Sequence, residues 1–177
     1  MRITDKVVVV TGSNGFISGH LIEALKKEKP KKIICIDKDT GIDLLDFDKI
    51  VKLFKKEKPD IVFNLAVLPL PASLTEPHET VVKILYMMIN LCEMCRLKLF
   101  KRLVHISSSE AYGNAMYKPQ DELHPLNPRT PYASSKASCD LVALSYHKTF
   151  NIDVVIPRCF NVYGPRQSLS SALTLPQ

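Results

Sequence analysis

Five short apolar runs, separated by segments of helical periodicity, restrict this chain more than any other feature. Lys6–Val10, Lys32–Asp37, Ile61–Ala66, Leu103–Ser107 and Ile152–Pro157 read as nearly continuous β-branched or apolar stretches. Strands of that kind are covered on both faces, which is the signature of a parallel sheet packed between helices. Between the first two, Ile17, Leu21 and Leu25 recur at helical spacing. Phe47, Ile50, Val51 and Phe54 fall at i, i+3, i+4 and i+7, and Pro59 ends the pattern. A loop punctuated by Pro69, Pro71 and Pro77 precedes a long helix expected over residues 79–98, and Pro131 leads another over Tyr132–Phe150. With right-handed crossovers the expectation is an α/β fold with one doubly wound parallel sheet, in a single domain.

Composition removes several alternatives. The 177 residues are 46% hydrophobic and 24% charged, enough for one cored domain and unlike a disordered chain. The longest apolar run, residues 81–91, contains Lys83 and is far shorter than the roughly 18–20 residues of a membrane span. The first residues carry Asp5 and lack a secretory pattern, and five cysteines are an odd number. Reduced thiols, a cytoplasmic location and no membrane partner are therefore expected. Cys92 and Cys95 form a C-x-x-C late in an apolar helix, which reads as core packing. The net charge of +6 gathers largely in residues 26–32 and 55–58, which read as solvated helix ends, so no nucleic acid is expected. The five histidines have no metal-ligand spacing, and no metal is assigned.

Residues 11–19, Thr-Gly-Ser-Asn-Gly-Phe-Ile-Ser-Gly, join the first strand to the first helix. Glycines there let the backbone approach a pyrophosphate at a helix N-terminus. Asp37 closes the second strand 25 residues after Gly12, where a carboxylate suits the ribose hydroxyls of NAD and repels a 2′-phosphate. Asp39 adds a second acid and no arginine follows, so NAD is the expected cofactor, with Gly12, Asn14, Gly15, Phe16 and Ile17 at the turn.

From Thr11 onward the chain resembles the extended short-chain dehydrogenase/reductase family, the NAD-dependent nucleotide-sugar epimerases and dehydratases. The likeness runs through Asp43-Leu44-Leu45-Asp46, residues 59–66 (Pro-Asp-Ile-Val-Phe-Asn-Leu-Ala), residues 107–113 (Ser-Ser-Ser-Glu-Ala-Tyr-Gly), residues 131–136 (Pro-Tyr-Ala-Ser-Ser-Lys) and residues 158–166 (Arg-Cys-Phe-Asn-Val-Tyr-Gly-Pro-Arg). The resemblance implies that Asp43 and Leu44 reach the adenine and that Leu65, Ala66 and Val67 flank the cofactor. It places Phe160 near the nicotinamide and Asn161 on the nucleotide-sugar. It also implies a homodimer through helices 79–98 and 132–150. Ser18 stands for a third glycine, Ile84 for an asparagine near the cofactor and Met87 for a glycine. The chain ends eleven residues after Arg166, so most of a C-terminal substrate domain is expected to be absent.

Tyr132 and Lys136, four apart at a helix start, share a face. An ammonium beside the phenol favours its phenolate, and moving a tyrosine from 10 to about 7 takes about 4 kcal/mol, expected from the lysine together with the positive nicotinamide ring. In the family's chemistry Tyr132 would take a hydroxyl proton as the sugar is oxidised, Lys136 would also hold the nicotinamide ribose, and Ser108 would hold the reacting oxygen. Glu110 reads either as the base of a dehydratase or decarboxylase or as a helix-start acid; Ser109 stands where one class of dehydratase has an acid. The expected activity is transient C4 oxidation of a nucleotide-sugar, and the alternative is an NAD-binding module without turnover. A basic nucleic-acid-binding domain and a simple alcohol-type dehydrogenase are the remaining rivals.

Overall fold

The computed structural model describes residues 2–167. Its strands, in chain order, are Val7–Thr11 (β1), Lys32–Ile36 (β2), Ile61–Asn64 (β3), Arg102–His105 (β4), Ser107–Ser108 (β5), Asp153–Val155 (β6) and Arg158–Cys159 (β7). Five form one parallel sheet in the order β2-β1-β3-β4-β6, and β5 pairs with β7 beside it. The helices are Phe16–Lys27 (α1), Phe47–Glu57 (α2), Leu70–Thr75 (α3), Pro77–Arg96 (α4) and Pro131–Phe150 (α5). Strand order reverses between β2 and β3, so α1 and α2 lie on opposite faces and the doubly wound expectation holds.

Side-chain alternation in β1 divides the core. Val8 and Val10 pack with Leu25 of α1 on one face. Val9 faces the other way, into a larger core with Ile50 and Phe54 of α2, Met88 and Leu91 of α4, and Cys139 and Ala143 of α5. Each fully buried aliphatic side chain contributes roughly 1.5–3 kcal/mol, so this second face dominates stability. Cys92, Cys95 and Cys139 belong to it as free thiols. Burial pushes them up to about 12, about 11 and about 12, which suits packing and opposes redox chemistry.

Local chemistry sets the element ends. Asp46 caps α2 by accepting from the Lys49 N–H at 3.0 Å, and Thr130 caps α5 through the Ala133 N–H at 3.0 Å. Pro77 and Pro131 each open a helix where the missing N–H costs nothing. Lys26 and Lys27 end α1, and Lys55 and Lys56 end α2, as the sequence predicts.

Several boundaries differ from the expectation: α4, expected over residues 79–98, runs Pro77–Arg96, and the third strand, expected to reach Ala66, ends at Asn64. Residues 70–75 of the proline-punctuated loop form α3, because Pro71 sits in its first turn where proline is tolerated. The fourth strand breaks at Ile106, whose N–H turns to the Asn64 carbonyl and whose own carbonyl accepts from Lys136. The last strand breaks at Pro157, which has no N–H to give a ladder.

Candidate active site

The carboxyl ends of β1, β2 and β3 converge on a cavity of about 230 Å³. Gly12 there has φ +62°, and a Cβ would lie 2.8 Å from the backbone of Ala66, so only glycine lets the turn pass under β3. Ser18, in the place of the third glycine, is buried and donates to the Gly12 carbonyl at 2.5 Å. The serine therefore ties helix to turn rather than prising them apart. α1 begins at Phe16 with no side-chain cap, leaving first-turn N–H groups and the positive helix end for an anion. Asp37 accepts from the Asn14 N–H at 3.1 Å and the Asp39 N–H at 3.4 Å, which fixes its carboxylate at the rim. Gly12, Asp37, Asp43, Leu44, Ala66 and Val67 all line the cavity. Asn14 is exposed and lines neither this cavity nor the next, so its backbone serves Asp37 while its side chain stands apart.

Sequence reasoning missed Lys83 here. It borders the cavity from α4 and pairs with Glu79 one turn earlier. Met87 also lines the cavity, whereas Ile84 is buried in the core and its carbonyl accepts from the Cys139 thiol. Only one of these two family departures on α4 thus touches the adenine-side cavity.

A second cavity, of about 420 Å³, continues along the strand ends, with Val67 shared between the two. Gly15, Phe16, Ile17 and Leu65 border it, and so do Ser108, Glu110, Tyr132, Lys136, Phe160 and Asn161. Cys159, quoted in the last motif but given no role there, lines it from β7 because its strand pairs Cys159 with Ser108.

The electrostatics of the protein alone leave the tyrosine protonated. Burial pushes the Tyr132 phenol above its ordinary value, the Ser108 hydroxyl opposes that rise, and the Glu110 carboxylate adds to it. Lys136 does not relieve it. Lys136 is only 3% exposed and its ammonium donates to the Ile106 carbonyl at 2.6 Å, while burial lowers its own pKa. The protein alone thus holds Tyr132 as a phenol, and forming the phenolate requires positive charge brought by a bound partner.

Beneath Lys136 runs a buried polar chain that sequence reasoning did not assemble. Thr11 Oγ1 donates to Asn64 Oδ1 at 2.7 Å, so the Asn64 amide nitrogen donates to His105 Nδ1 at 3.0 Å. His105 Nε2 then carries the proton and faces Asp140 Oδ1 at 3.9 Å. Burial, with Lys136 nearby, holds the imidazole well below its usual pKa and neutral. Asp140 is fully buried and accepts from Arg158 Nε at 2.8 Å, while Arg158 donates onward to the Tyr112 hydroxyl at 3.0 Å. The signal available in the sequence was the spacing of Asp140 four residues after Lys136.

The donor set fits NAD. An uncapped helix end, a carboxylate fixed by two backbone N–H groups and a continuous cleft to Tyr132 match pyrophosphate, ribose and nicotinamide in turn. Among the described residues no group of three or more His, Cys, Asp or Glu side chains is placed to hold a metal ion.

Comparison with known proteins agrees. The model of the NAD dependent epimerase/dehydratase family matches residues 8–175. The dTDP-D-glucose 4,6-dehydratase of Dictyostelium discoideum is 30% identical, over 90% of this chain and 44% of that protein. Its Homo sapiens counterpart is 32% identical, over 92% of this chain and 53% of that protein. The chain spans about half the length of the curated relatives it matches. Thermus thermophilus UDP-glucose 4-epimerase in complex with NAD superposes with a TM-score of 0.83 at 28% identity, covering 92% of this chain and 57% of that one. The dTDP-glucose 4,6-dehydratase DesIV from Streptomyces venezuelae, with NAD bound, gives a TM-score of 0.83 at 27% identity over 91% of this chain and 57% of that one. With the family model spanning residues 8–175 and the fold shared with these solved structures, the chain belongs to the NAD-dependent epimerase/dehydratase family.

Proposed function

We propose that this site oxidises a nucleotide-sugar transiently at C4, as a 4,6-dehydratase or a 4-epimerase. The observation that carries the reading is the convergence of Ser108, Tyr132 and Lys136 on one cavity that shares Val67 with the cavity holding Asp37. NAD, when bound, supplies the two-electron acceptor and returns the pair at the end of the cycle. As its phenolate, Tyr132 accepts the proton of the C4 hydroxyl and later gives it back, so it ends as it began. Ser108 donates to the reacting oxygen. Lys136, held on the Ile106 carbonyl, supplies buried positive charge beneath the tyrosine.

Glu110 favours dehydration. It lines the same cavity and is close enough to raise the Tyr132 pKa, so it is placed to remove the proton that a C4 ketone acidifies. Ser109 favours epimerisation, because it cannot protonate a departing hydroxyl as a carboxylic acid would. Pairing of two copies through α4 and α5 belongs to the same reading, supported by Val82, Tyr86 and Leu141, which are exposed on those helices.

The test is incubation of the chain and NAD with dTDP-glucose and with UDP-glucose, followed by mass analysis of the product. Dehydration appears as loss of one water, epimerisation as an isobaric sugar. Saturable NAD binding without either product would replace this reading with that of a binding module.

A further inference from the structure

The parallel sheet sends the C-termini of α1, α2, α4 and α5 to the face opposite the cavities, and that face collects most of the excess positive charge. Backbone hydrogen bonds knit it together: Asp5 N–H to Lys29 O, Lys32 N–H to Lys6 O, and Lys101 N–H to Asp60 O. Lys6 and Lys101 are neutralised by Asp60, and Lys32 by Glu57. The exposed Lys26 and Lys27 at the end of α1, and Lys55 and Lys56 at the end of α2, make no ion pair among the described residues. Neither does Lys31 in the turn into β2. The opposite end of the same elements is acidic, with Asp37, Asp39, Asp43, Asp46 and Asp48 around the end of β2 and the start of α2.

Two observations set this face apart from ordinary helix termination. Lys29, Lys58 and Lys98 follow α1, α2 and α4, each in the left-handed region with φ of 52°, 50° and 60°. Glycine or asparagine occupies such positions at least cost, as Asn151 does after α5 with φ 54°, yet lysine stands at the other three. The helix dipole accounts for lysines in the last turn, but it does not call for one at a left-handed position. Beside these lysines, Leu97 and Phe150 are each 47% exposed at the ends of α4 and α5, with Arg96 lying 5.5 Å over the Phe150 ring.

We propose that this face docks the domain on an anionic lipid surface, lysines among the headgroups and Leu97 and Phe150 at the acyl boundary. Broad, lysine-based charge flanked by exposed apolar side chains suits a headgroup layer. Single-stranded nucleic acid would call for several stacking aromatics interleaved with the charge, whereas this face offers one large exposed aromatic, Phe150, with Arg96 already over its ring. Docked this way, both cavities open to solution, away from the bilayer. The absence of a membrane-spanning run, which led the sequence to predict no membrane partner, bears only on crossing a bilayer and not on lying against one.

The experiment is co-sedimentation of the chain with vesicles of phosphatidylcholine alone, and of phosphatidylcholine with about one-third phosphatidylserine, at low and high salt. Retention is expected only on the anionic vesicles and is lost at high salt. Charge reversal at Lys29, Lys31 and Lys58 should lower partitioning by at least about tenfold, while Leu97→Ser with Phe150→Ser weakens it at fixed salt. A thermal melt of each variant confirms folding. Equal retention on neutral vesicles, or no retention on anionic ones, overturns the proposal. So does salt-sensitive binding to RNA that the Leu97→Ser, Phe150→Ser pair leaves unchanged.

Discussion

Tyr132→Phe is expected to lower nucleotide-sugar turnover by about 10²–10⁴-fold and to leave NAD affinity essentially unchanged. The phenol sits in the second cavity with Ser108 and Glu110, and phenylalanine keeps its shape while removing the hydroxyl proposed to take the substrate proton. Burial raises the Tyr132 pKa, so at neutral pH the base form is the minor one. The native rate should therefore climb with pH through neutrality, since the phenolate fraction grows about tenfold per unit below its pKa. Tyr132→Phe should abolish that climb. Steady-state rates and equilibrium NAD titration across pH check both parts. A variant that kept the pH-dependent rise would place the titrating base elsewhere, with Glu110 the neighbour to try next.

Asp140→Ala is expected to destabilise the fold by about 3–5 kcal/mol, because it strips the carboxylate from a largely buried guanidinium. The side chain of Arg158 is 16% exposed, and Asp140, itself fully buried, takes its Nε hydrogen bond. At roughly 2–4 °C per kcal/mol for a chain of this size, the midpoint should fall by about 10 °C. Replacing both partners at once, with Asp140→Leu and Arg158→Met, should recover a substantial part of the loss, since no charge is then left buried alone. Urea unfolding of the two variants measures this. A single substitution costing no more than a surface change would mean that water already reaches Arg158. The same pair reaches function, because Asp140 lies one turn beyond Lys136 on the helix that carries Tyr132.

The layered sheet and its cofactor turn were legible in the sequence because their signals are local. Val7–Val10 has nowhere to go but a buried strand, and Gly12 needs a positive φ wherever the turn is built. What the sequence left out depends on contacts between distant residues. The break at Ile106 follows from Lys136, thirty residues away, donating to its carbonyl, and α3 depends on a proline being tolerated in a first turn. The chain from Thr11 through Asn64 and His105 toward Asp140 and Arg158 crosses five elements, and no periodicity announces it. Tyr132 is instructive in the opposite sense. Its spacing from Lys136 correctly put both on one cavity, yet the lysine turned to a backbone carbonyl and left the phenol high.

The central claim is that NAD lies from the Asp37 rim, across the open end of α1, to the cleft holding Tyr132. Calorimetric titration of NAD into the native chain and into Asp37→Ala tests it most directly. Saturable binding by the native chain, weakened about ten- to hundredfold by the substitution, is the expected result, since a charged acceptor of two ribose hydroxyls is lost. Native-strength binding by Asp37→Ala, or no binding by the native chain, would contradict it.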